Sequence, residues 1–370
     1  MARHALAEPA ADLRPDAIAG MLCGAHAQLL GAAELSLGRR IAGATRADVR
    51  RALWEERTLV KTFGPRGTIH LLPAADLPMW TGALSALPPV THHPDPVRFS
   101  PGQAEEVIAA IGDALADAEL TVDELTESLE ARTGPWAVER TMEAFGGKWP
   151  RWRQLTSAAA HRGMLCFGPD RGRNVTYTNP HRWLPGFRPA EGDEALRELV
   201  TGYLHAYGPA TPANFARWLA MPPRRATELF GAMGAELERV ELDGTPAWTL
   251  AGDTATPPEP YRGIRLLPYF DAYVVAGQPR HQLYPGGAAA RALTPAGQAG
   301  NYPVLLVDGV VGGVWHQRRS GRRLAITVEP LRQLTAPQYR QLDEEAGLVG
   351  AVMEATVTLT VGTVTVGAHA

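Results

Sequence analysis

The chain has 370 residues, is 45% hydrophobic and 20% charged, and carries a formal net charge of −3. That composition excludes a disordered polypeptide and gives material for roughly two to four domains. It also excludes a protein that coats nucleic acid with a global positive field, so any such contact must rest on local basic clusters. No run of ~18 apolar residues exists, and Met1-Ala2-Arg3-His4-Ala5-Leu6-Ala7-Glu8-Pro9 has no apolar core of signal-peptide length. The expected location is therefore the cytoplasm, without membrane contact. The two cysteines, Cys23 and Cys166, lie in apolar surroundings without a CxxC pattern. That spacing speaks against a disulfide framework or a zinc site, and no metal or cofactor is expected. Lys61 and Lys148 are the only lysines. Arginine suits bidentate contact with phosphate or guanine, although a GC-rich genome encodes the same bias.

In chain order, residues 1–14 read as a loose lead-in, and 16–25 as a short helix with Pro15 at its start. His26-Ala27-Gln28 follows. Residues 32–41 carry Leu35, Leu37 and Ile41 at helical spacing, and Gly43 breaks the pattern. Thr45 can cap a third helix over 46–60, with Val49, Leu53 and Trp54 apolar. Two short strands then flank Gly64-Pro65-Arg66-Gly67. Three helices and a hairpin are the layout of a winged helix. The layout returns with the capping box Thr121-Val122-Asp123-Glu124 opening a helix to 131. A helix over 152–163 and strands over 164–168 and 175–178 follow, around a turn bearing Arg171 and Arg173. It returns again with helices over 193–207, 211–219 and 223–237, then strands over 238–242 and 247–250 joined by Asp243-Gly244.

Residues 255–260 read as a linker. Beyond them short strands over 264–267, 304–307, 310–315, 324–328 and 355–366, with one helix over 337–349, favour a small barrel or sandwich. Residues 285–301 read as a long surface loop. The expected class is α+β: three tandem winged-helix units (1–80, 81–190 and 191–254) followed by a β-barrel-like domain (255–370).

The basic residues recur where such units meet DNA. The first unit offers Arg46, Arg50, Arg51, Arg57, Lys61 and Arg66. The second offers Arg151, Arg153, His161, Arg162, Arg171 and Arg173, and the third Arg224 and Arg225. In the last domain His316-Gln317-Arg318-Arg319-Ser320-Gly321-Arg322-Arg323 is a hairpin without an acid. Such contacts supply affinity and register with little sequence selectivity. Solvated basic faces look the same in isolation. Asp271 and Arg280 are placed with the DNA-facing set; Asp271 is either a catalytic carboxylate or the partner of a nearby arginine. His92-His93-Pro94-Asp95 is the nearest approach to a metal-ligand spacing and reads as a Pro-rich loop.

Several runs together resemble the AlkZ/YcaQ-type bacterial DNA glycosylases. They are Ala25-His26-Ala27-Gln28, Ala32-Ala33-Glu34-Leu35-Ser36-Leu37 and Arg66-Gly67-Thr68-Ile69-His70-Leu71-Leu72. Ala206-Tyr207-Gly208-Pro209-Ala210-Thr211-Pro212-Ala213-Asn214-Phe215, Leu266-Leu267-Pro268-Tyr269-Phe270-Asp271 and Val307-Asp308-Gly309-Val310-Val311-Gly312-Gly313-Val314-Trp315 complete the set. The resemblance runs from about Asp16 to about Gly362. It implies tandem winged helices closed by a β-barrel, and monofunctional hydrolysis of the N-glycosidic bond of alkylated guanine. The substrates it implies include bulky N7 adducts and interstrand crosslinks left by DNA-alkylating natural products, against which members often protect the producing bacterium. The implied partner is double-stranded DNA carrying alkylated purines, and a monomer is expected.

The AlkZ motif is Gln-x-Gln and the YcaQ motif Gln-x-Asp. Here Gln28 matches the second glutamine of the AlkZ branch and His26 replaces the first. A cationic N7-alkylguanine leaves as a neutral base and needs little acid, while the sugar develops oxocarbenium character. Gln28 can hold a water and aim its carbonyl dipole at the sugar. His26 can act as a neutral base, with activity then falling below pH about 6.5, or can orient Gln28 or the water. On local sequence alone the pair reads first as a helix-junction filler, where His and Gln satisfy backbone groups. The competing reading from another class is a non-catalytic winged-helix DNA-binding protein or regulator.

Overall fold

The computed structural model describes residues 1–88, 94, 97–144, 147–253, 255 and 259–368. One order of elements, helix–strand–helix–helix–strand–strand, occurs three times. The first set is α1 (Pro15–Met21), β1 (Ala25–His26), α2 (Leu30–Gly38), α3 (Arg46–Trp54), β2 (Leu59–Phe63) and β3 (Ile69–Pro73). Its sheet has the order β1-β3-β2. α4 (Leu77–Ser85) follows.

The second set is α5 (Pro101–Leu115), β4 (Glu119–Thr121) and α6 (Val122–Thr133). An insertion of α7 (Pro135–Val138), β5 (Arg140–Ala144) and β6 (Gly147–Pro150) leads to a 3-10 turn (Arg151–Leu155) and α8 (Thr156–His161). β7 (Cys166–Arg171) and β8 (Asn174–Thr178) close the set. Here too the first strand pairs with the last, in the order β4-β8-β7. The third set is α9 (Gly192–Tyr207), α10 (Pro212–Leu219), α11 (Pro223–Met233), β9 (Leu237–Leu242) and β10 (Thr245–Leu250). Its first strand shrinks to one bridge, Ala210 to Trp248.

Local chemistry accounts for these starts. Capping boxes open α3 (Thr45 with Asp48), α5 (Ser100 with Gln103), α6 (Thr121 with Glu124) and α10 (Thr211 with Asn214), each contributing about 1 kcal/mol. Asp243 and Gly244 both take left-handed backbone, as a two-residue hairpin turn requires. Several expected boundaries move. The helix expected over 16–25 stops at Met21, because the chain turns through left-handed Cys23 and Gly24 into β1. The helix expected over 46–60 stops at Trp54, and Leu59 already pairs in the sheet. Residues 1–14 are not a loose lead-in: Arg3 pairs with Asp253, and buried His4 bonds the Ala206 carbonyl. α4 straddles the expected boundary at 80/81, and its Trp80, Ala83 and Leu84 join the core built on α9.

The last region is β11 (Ile264–Leu267), α12 (Ala272–Ala276), α13 (Arg280–Leu283), α14 (Ala288–Ala292), β12 (Val304–Val307), β13 (Val310–Ser320), β14 (Arg323–Pro330), α15 (Ala336–Val352) and β15 (Thr356–Val361). The expected barrel-like domain is a curled half-barrel sheet of five strands in sequential order. β15 lies parallel to β14, so α15 serves as the crossover between them and packs against both edge strands, β11 and β15. The stretch 285–301 is no free loop: α14 buries Ala288 and Ala292, and Arg291 pairs with Glu329. Residues 256–258 of the expected linker, and the His92-His93-Pro94-Asp95 run apart from Pro94, lie outside the described residues.

Two buried ion-pair networks fasten this region to the first set. Arg39 and Arg265 share Glu345. Arg40, fully buried, meets Asp271 through two hydrogen bonds of 2.8 and 2.7 Å, and Ser36 Oγ donates to the same carboxylate at 2.7 Å. Burial pushes the Asp271 carboxyl up, but the Arg40 charge and hydrogen bonds, with Ser36 and the Tyr273 amide, outweigh it and hold the carboxyl below its ordinary value. Removing one member strands a buried charge. Asp271→Ala is expected to cost about 3–5 kcal/mol in urea unfolding, and the paired Arg40→Met/Asp271→Leu change to cost less than either single one. Additive losses across the cycle would contradict a coupled pair.

Candidate active site

β1 and β3 pair antiparallel with His26 directly opposite His70. Directly opposed residues share one face of a sheet. The Ala27 amide donates to the Ile69 carbonyl at 2.7 Å and Ala27 is buried, so His26 and Gln28 point away from the core of the first set. His26 forms the wall of a narrow cleft together with His70, Arg66, Tyr207, Trp218 and Phe270. Gln28 is exposed beyond the cleft wall, beside exposed Leu29.

Four separate stretches build this cleft. The α1–β1 turn brings Cys23 and Gly24, the β2–β3 turn Arg66, the third set Tyr207 and Trp218, and the β11–α12 loop Phe270. The Phe270 ring stacks on His26 with centroids 4.4 Å apart, and His70 meets His26 edge-on at 5.1 Å. Arg66 donates to the Trp218 carbonyl at 2.7 Å. Cys23, Arg66 and Phe270 all have positive φ, at 49°, 60° and 56°. Left-handed backbone at non-glycine residues costs energy and concentrates where a side chain must be aimed.

The electrostatics are those of a neutral site beside one cation. Burial, and then the Arg66 guanidinium, lower the His26 imidazole to about 4. Burial, then the neighbouring His26 and Arg66, push His70 well below the ordinary histidine value. His26 Nδ1 is buried without a hydrogen-bond partner. The cleft walls are aromatic, imidazole and aliphatic, with one guanidinium and no carboxylate among the described residues. No group of three metal-ligating side chains occurs among the described residues.

The expected DNA-facing residues divide in two. Asp271 is 1% exposed and locked to Arg40, so its placement with the DNA contacts is corrected: no phosphate or base can reach it. Arg280 is half-buried, donating to the Val274 and Val275 carbonyls. Arg50 pairs with Glu34, Arg51 with Asp48 and Glu56, Arg162 with Glu105, and Arg171 with Glu119 and Glu124. Arg153 lies over the Trp149 ring. Arg319 bonds the Gly321 and Met353 carbonyls at the tip of the β13–β14 hairpin. Arg173, Arg318, Arg322 and Arg323 are exposed at hairpin turns.

His26 should therefore titrate near pH 4 in a histidine NMR titration, and Arg66→Met should move it upward by removing the repelling charge. A midpoint near the ordinary ~6.5 would contradict the burial. His4, His26, His70 and His161 all have lowered values when folded. The unfolded chain then binds more protons below pH ~6.5, so stability is full above that value and melting temperature falls as pH drops below it.

Comparison with known proteins bears on the whole of this framework. The sequence model of one family, described as "DNA glycosylase AlkZ-like", matches residues 19–352. A curated relative from Streptomyces sahachiroi, described as an "Interstrand DNA cross-link repair glycosylase", is 33% identical over 323 residues, 83% of each chain. The solved structure of the Streptomyces sahachiroi DNA glycosylase AlkZ aligns with a TM-score of 0.79 at 29% identity, covering 97% of both chains. The family match takes in His26-Ala27-Gln28, the β2–β3 turn, Phe270 and the β13–β14 hairpin. The chain belongs to the AlkZ-like DNA glycosylases, enzymes that hydrolyse the N-glycosyl bond between base and sugar in DNA.

Proposed function

We propose that this glycosylase is monofunctional and removes N7-alkylated guanine from duplex DNA, bulky adducts and interstrand crosslinks among its substrates. In this reading it feeds base-excision repair and protects a bacterium against a DNA-alkylating natural product. The observation that carries the proposal is the chemistry of the cleft: neutral imidazoles, aromatic walls, one guanidinium and no carboxylate. Such a site is poor at protonating a neutral leaving base. It suits a base that already carries its positive charge and departs neutral. The printed description of the Streptomyces sahachiroi relative supports the crosslink part.

Gln28, at the exposed rim, presents a carbonyl dipole to the sugar and accepts a hydrogen bond from water. His26, lowered to about 4, is too weak a base to take the water's proton outright. Its role is to accept a hydrogen bond while remaining uncharged beside a developing oxocarbenium ion, where an imidazolium would repel. The cleft is narrow between the His26, His70, Trp218 and Phe270 rings and crowds an adducted base, which supports cleavage without full extrusion into a pocket.

The three repeated sets are read as winged helices, with units at 1–80, 81–190 and 191–254 and the C-terminal domain at 255–370. DNA contact is assigned to the β7–β8 turn through Arg173 and to the β13–β14 hairpin through Arg318, Arg322 and Arg323, with Arg171, held by Glu119 and Glu124, and Arg319, held by two carbonyls, contributing less. Arg50, Arg51, Arg66, Arg153, Arg162 and Arg280 give weaker contributions, since each already has a partner in the protein.

The test is a duplex with one 7-methylguanine, incubated and then cleaved with alkali. Wild type is expected to release the base, and Gln28→Ala and His26→Ala to lose about 10² or more in single-turnover rate with Kd little changed. Parallel loss of binding and rate would make the motif structural. The rate should be flat from pH 8 to about 5.5, since His26 stays neutral there; a midpoint near 6.5 would contradict the site. Arg318→Ala/Arg322→Ala should lower the slope of log K against log salt by about 2.

A further inference from the structure

His70 brings a second imidazole to the cleft, outside the His26-Ala27-Gln28 motif. It stands across the sheet from His26 and lines the same wall. Its Nδ1 lies 2.9 Å from the Thr68 carbonyl oxygen. A carbonyl only accepts, so Nδ1 carries the proton. Burial keeps the ring neutral, so Nε2 carries a lone pair, and that nitrogen has no protein partner among the described residues. The tautomer is thus fixed by the backbone, the way a second-shell bond fixes a working histidine.

The ring has little freedom to turn. A Cβ on Gly64 would stand 2.9 Å from His70 Nδ1 and 3.0 Å from Cγ. A Cβ on Gly24, whose φ is +95°, would fall 3.4 Å from His70 Cδ2 and 2.7 Å from Leu72 Cδ2. Two glycines therefore let the backbone close on both sides of the imidazole. His70 meets His26 edge-on with centroids 5.1 Å apart, so the two imidazoles line one wall side by side.

We propose that His70 Nε2 is the acceptor that fixes the attacking water inside the cleft, between His26 and the Gln28 rim. This rests on the hydrolytic reading above. His26, with Nδ1 orphaned and its face covered by Phe270, offers one direction of contact; His70 supplies the second, and two acceptors fix the orientation of a water where one does not. The water's lone pair is then left free to approach the anomeric carbon. Its proton passes to solvent, or to the departing base once the C–N bond electrons have returned to the purine.

Amide replacements separate the two ring nitrogens. The Asn side-chain N–H sits where Nδ1 does and keeps the Thr68 bond; the Gln amide reaches where Nε2 does and restores an acceptor. With 7-methylguanine duplex, His70→Gln is expected to stay within about tenfold of wild type and His70→Asn to fall about 10²-fold, Kd being unchanged in both. The reverse order, or equal rates, would overturn the proposal by giving His70 a merely structural role. A measurement on the unaltered protein guards against misfolded variants. 15N NMR of histidine-labelled enzyme should show His70 as the neutral Nδ1–H form, with its Nε2 resonance moving when a duplex bearing a tetrahydrofuran abasic site binds. An Nε2–H form, or an unmoved resonance, overturns it. Wild-type inactivity on 7-methylguanine would instead count against the substrate reading, and the NMR result would still decide on His70.

Discussion

The ion pair between Arg40 and Asp271 ties the candidate cleft together. Both side chains are fully buried, and one lies at the end of α2 while the other opens α12. Phe270 immediately precedes Asp271, in left-handed backbone, with Gly300 so close that a Cβ there would fall 2.4 Å from the phenyl ring. Fixing Asp271 to Arg40 and Ser36 therefore fixes the ring that covers His26. The pair is a poor way to add stability, since desolvating two charges offsets most of their attraction. Its value lies in specifying one arrangement of two distant parts of the chain. Without it the β11–α12 loop has no reason to carry an aromatic ring to a strand 244 residues earlier.

The same economy governs the positive charge. Most arginines of the first and second sets are already matched by acids, which is how a chain of net charge −3 carries so many basic clusters. An arginine held by a neighbouring carboxylate must give up that contact to take a phosphate, so its net contribution to binding is small. Arg173 and the β13–β14 tip face solvent without such a competitor and dominate the proposed interface. Exposed, charged tips on hairpins rooted in buried strands combine a rigid base with a polar end.

Local signals were readable in the sequence and tertiary ones were not. Thr45, Thr121 and Thr211 open helices as expected, and Asp243-Gly244 turns a hairpin, because capping and turn chemistry act within four residues. α5 was missed although Ser100-Pro101-Gly102-Gln103 carries the same capping signature. α4 was missed because it is short and apolar almost throughout, which periodicity cannot separate from a strand. The curled sheet follows the pattern of short strands, but the parallel pairing of β14 and β15 does not, because short strands say nothing of pairing direction. At the site, His26-Ala27-Gln28 stood out, and so did the run containing His70. What linked them was the β1–β3 register, a contact between residues 44 apart that no local pattern encodes. The lowering of His26 to about 4 likewise depends on burial and on Arg66, neither visible beside His26 in the chain.

A cleft of neutral imidazoles, with Gln28 at its rim, is proposed to stabilise a cationic sugar and a positioned water without an acid. Affinity for a duplex carrying a cationic azasugar at the lesion, compared with the uncharged tetrahydrofuran analogue, measures that stabilisation directly. The azasugar duplex is expected to bind about 10² or more times tighter at constant salt, with the advantage lost in Gln28→Ala. Equal affinity for the two duplexes would contradict the account.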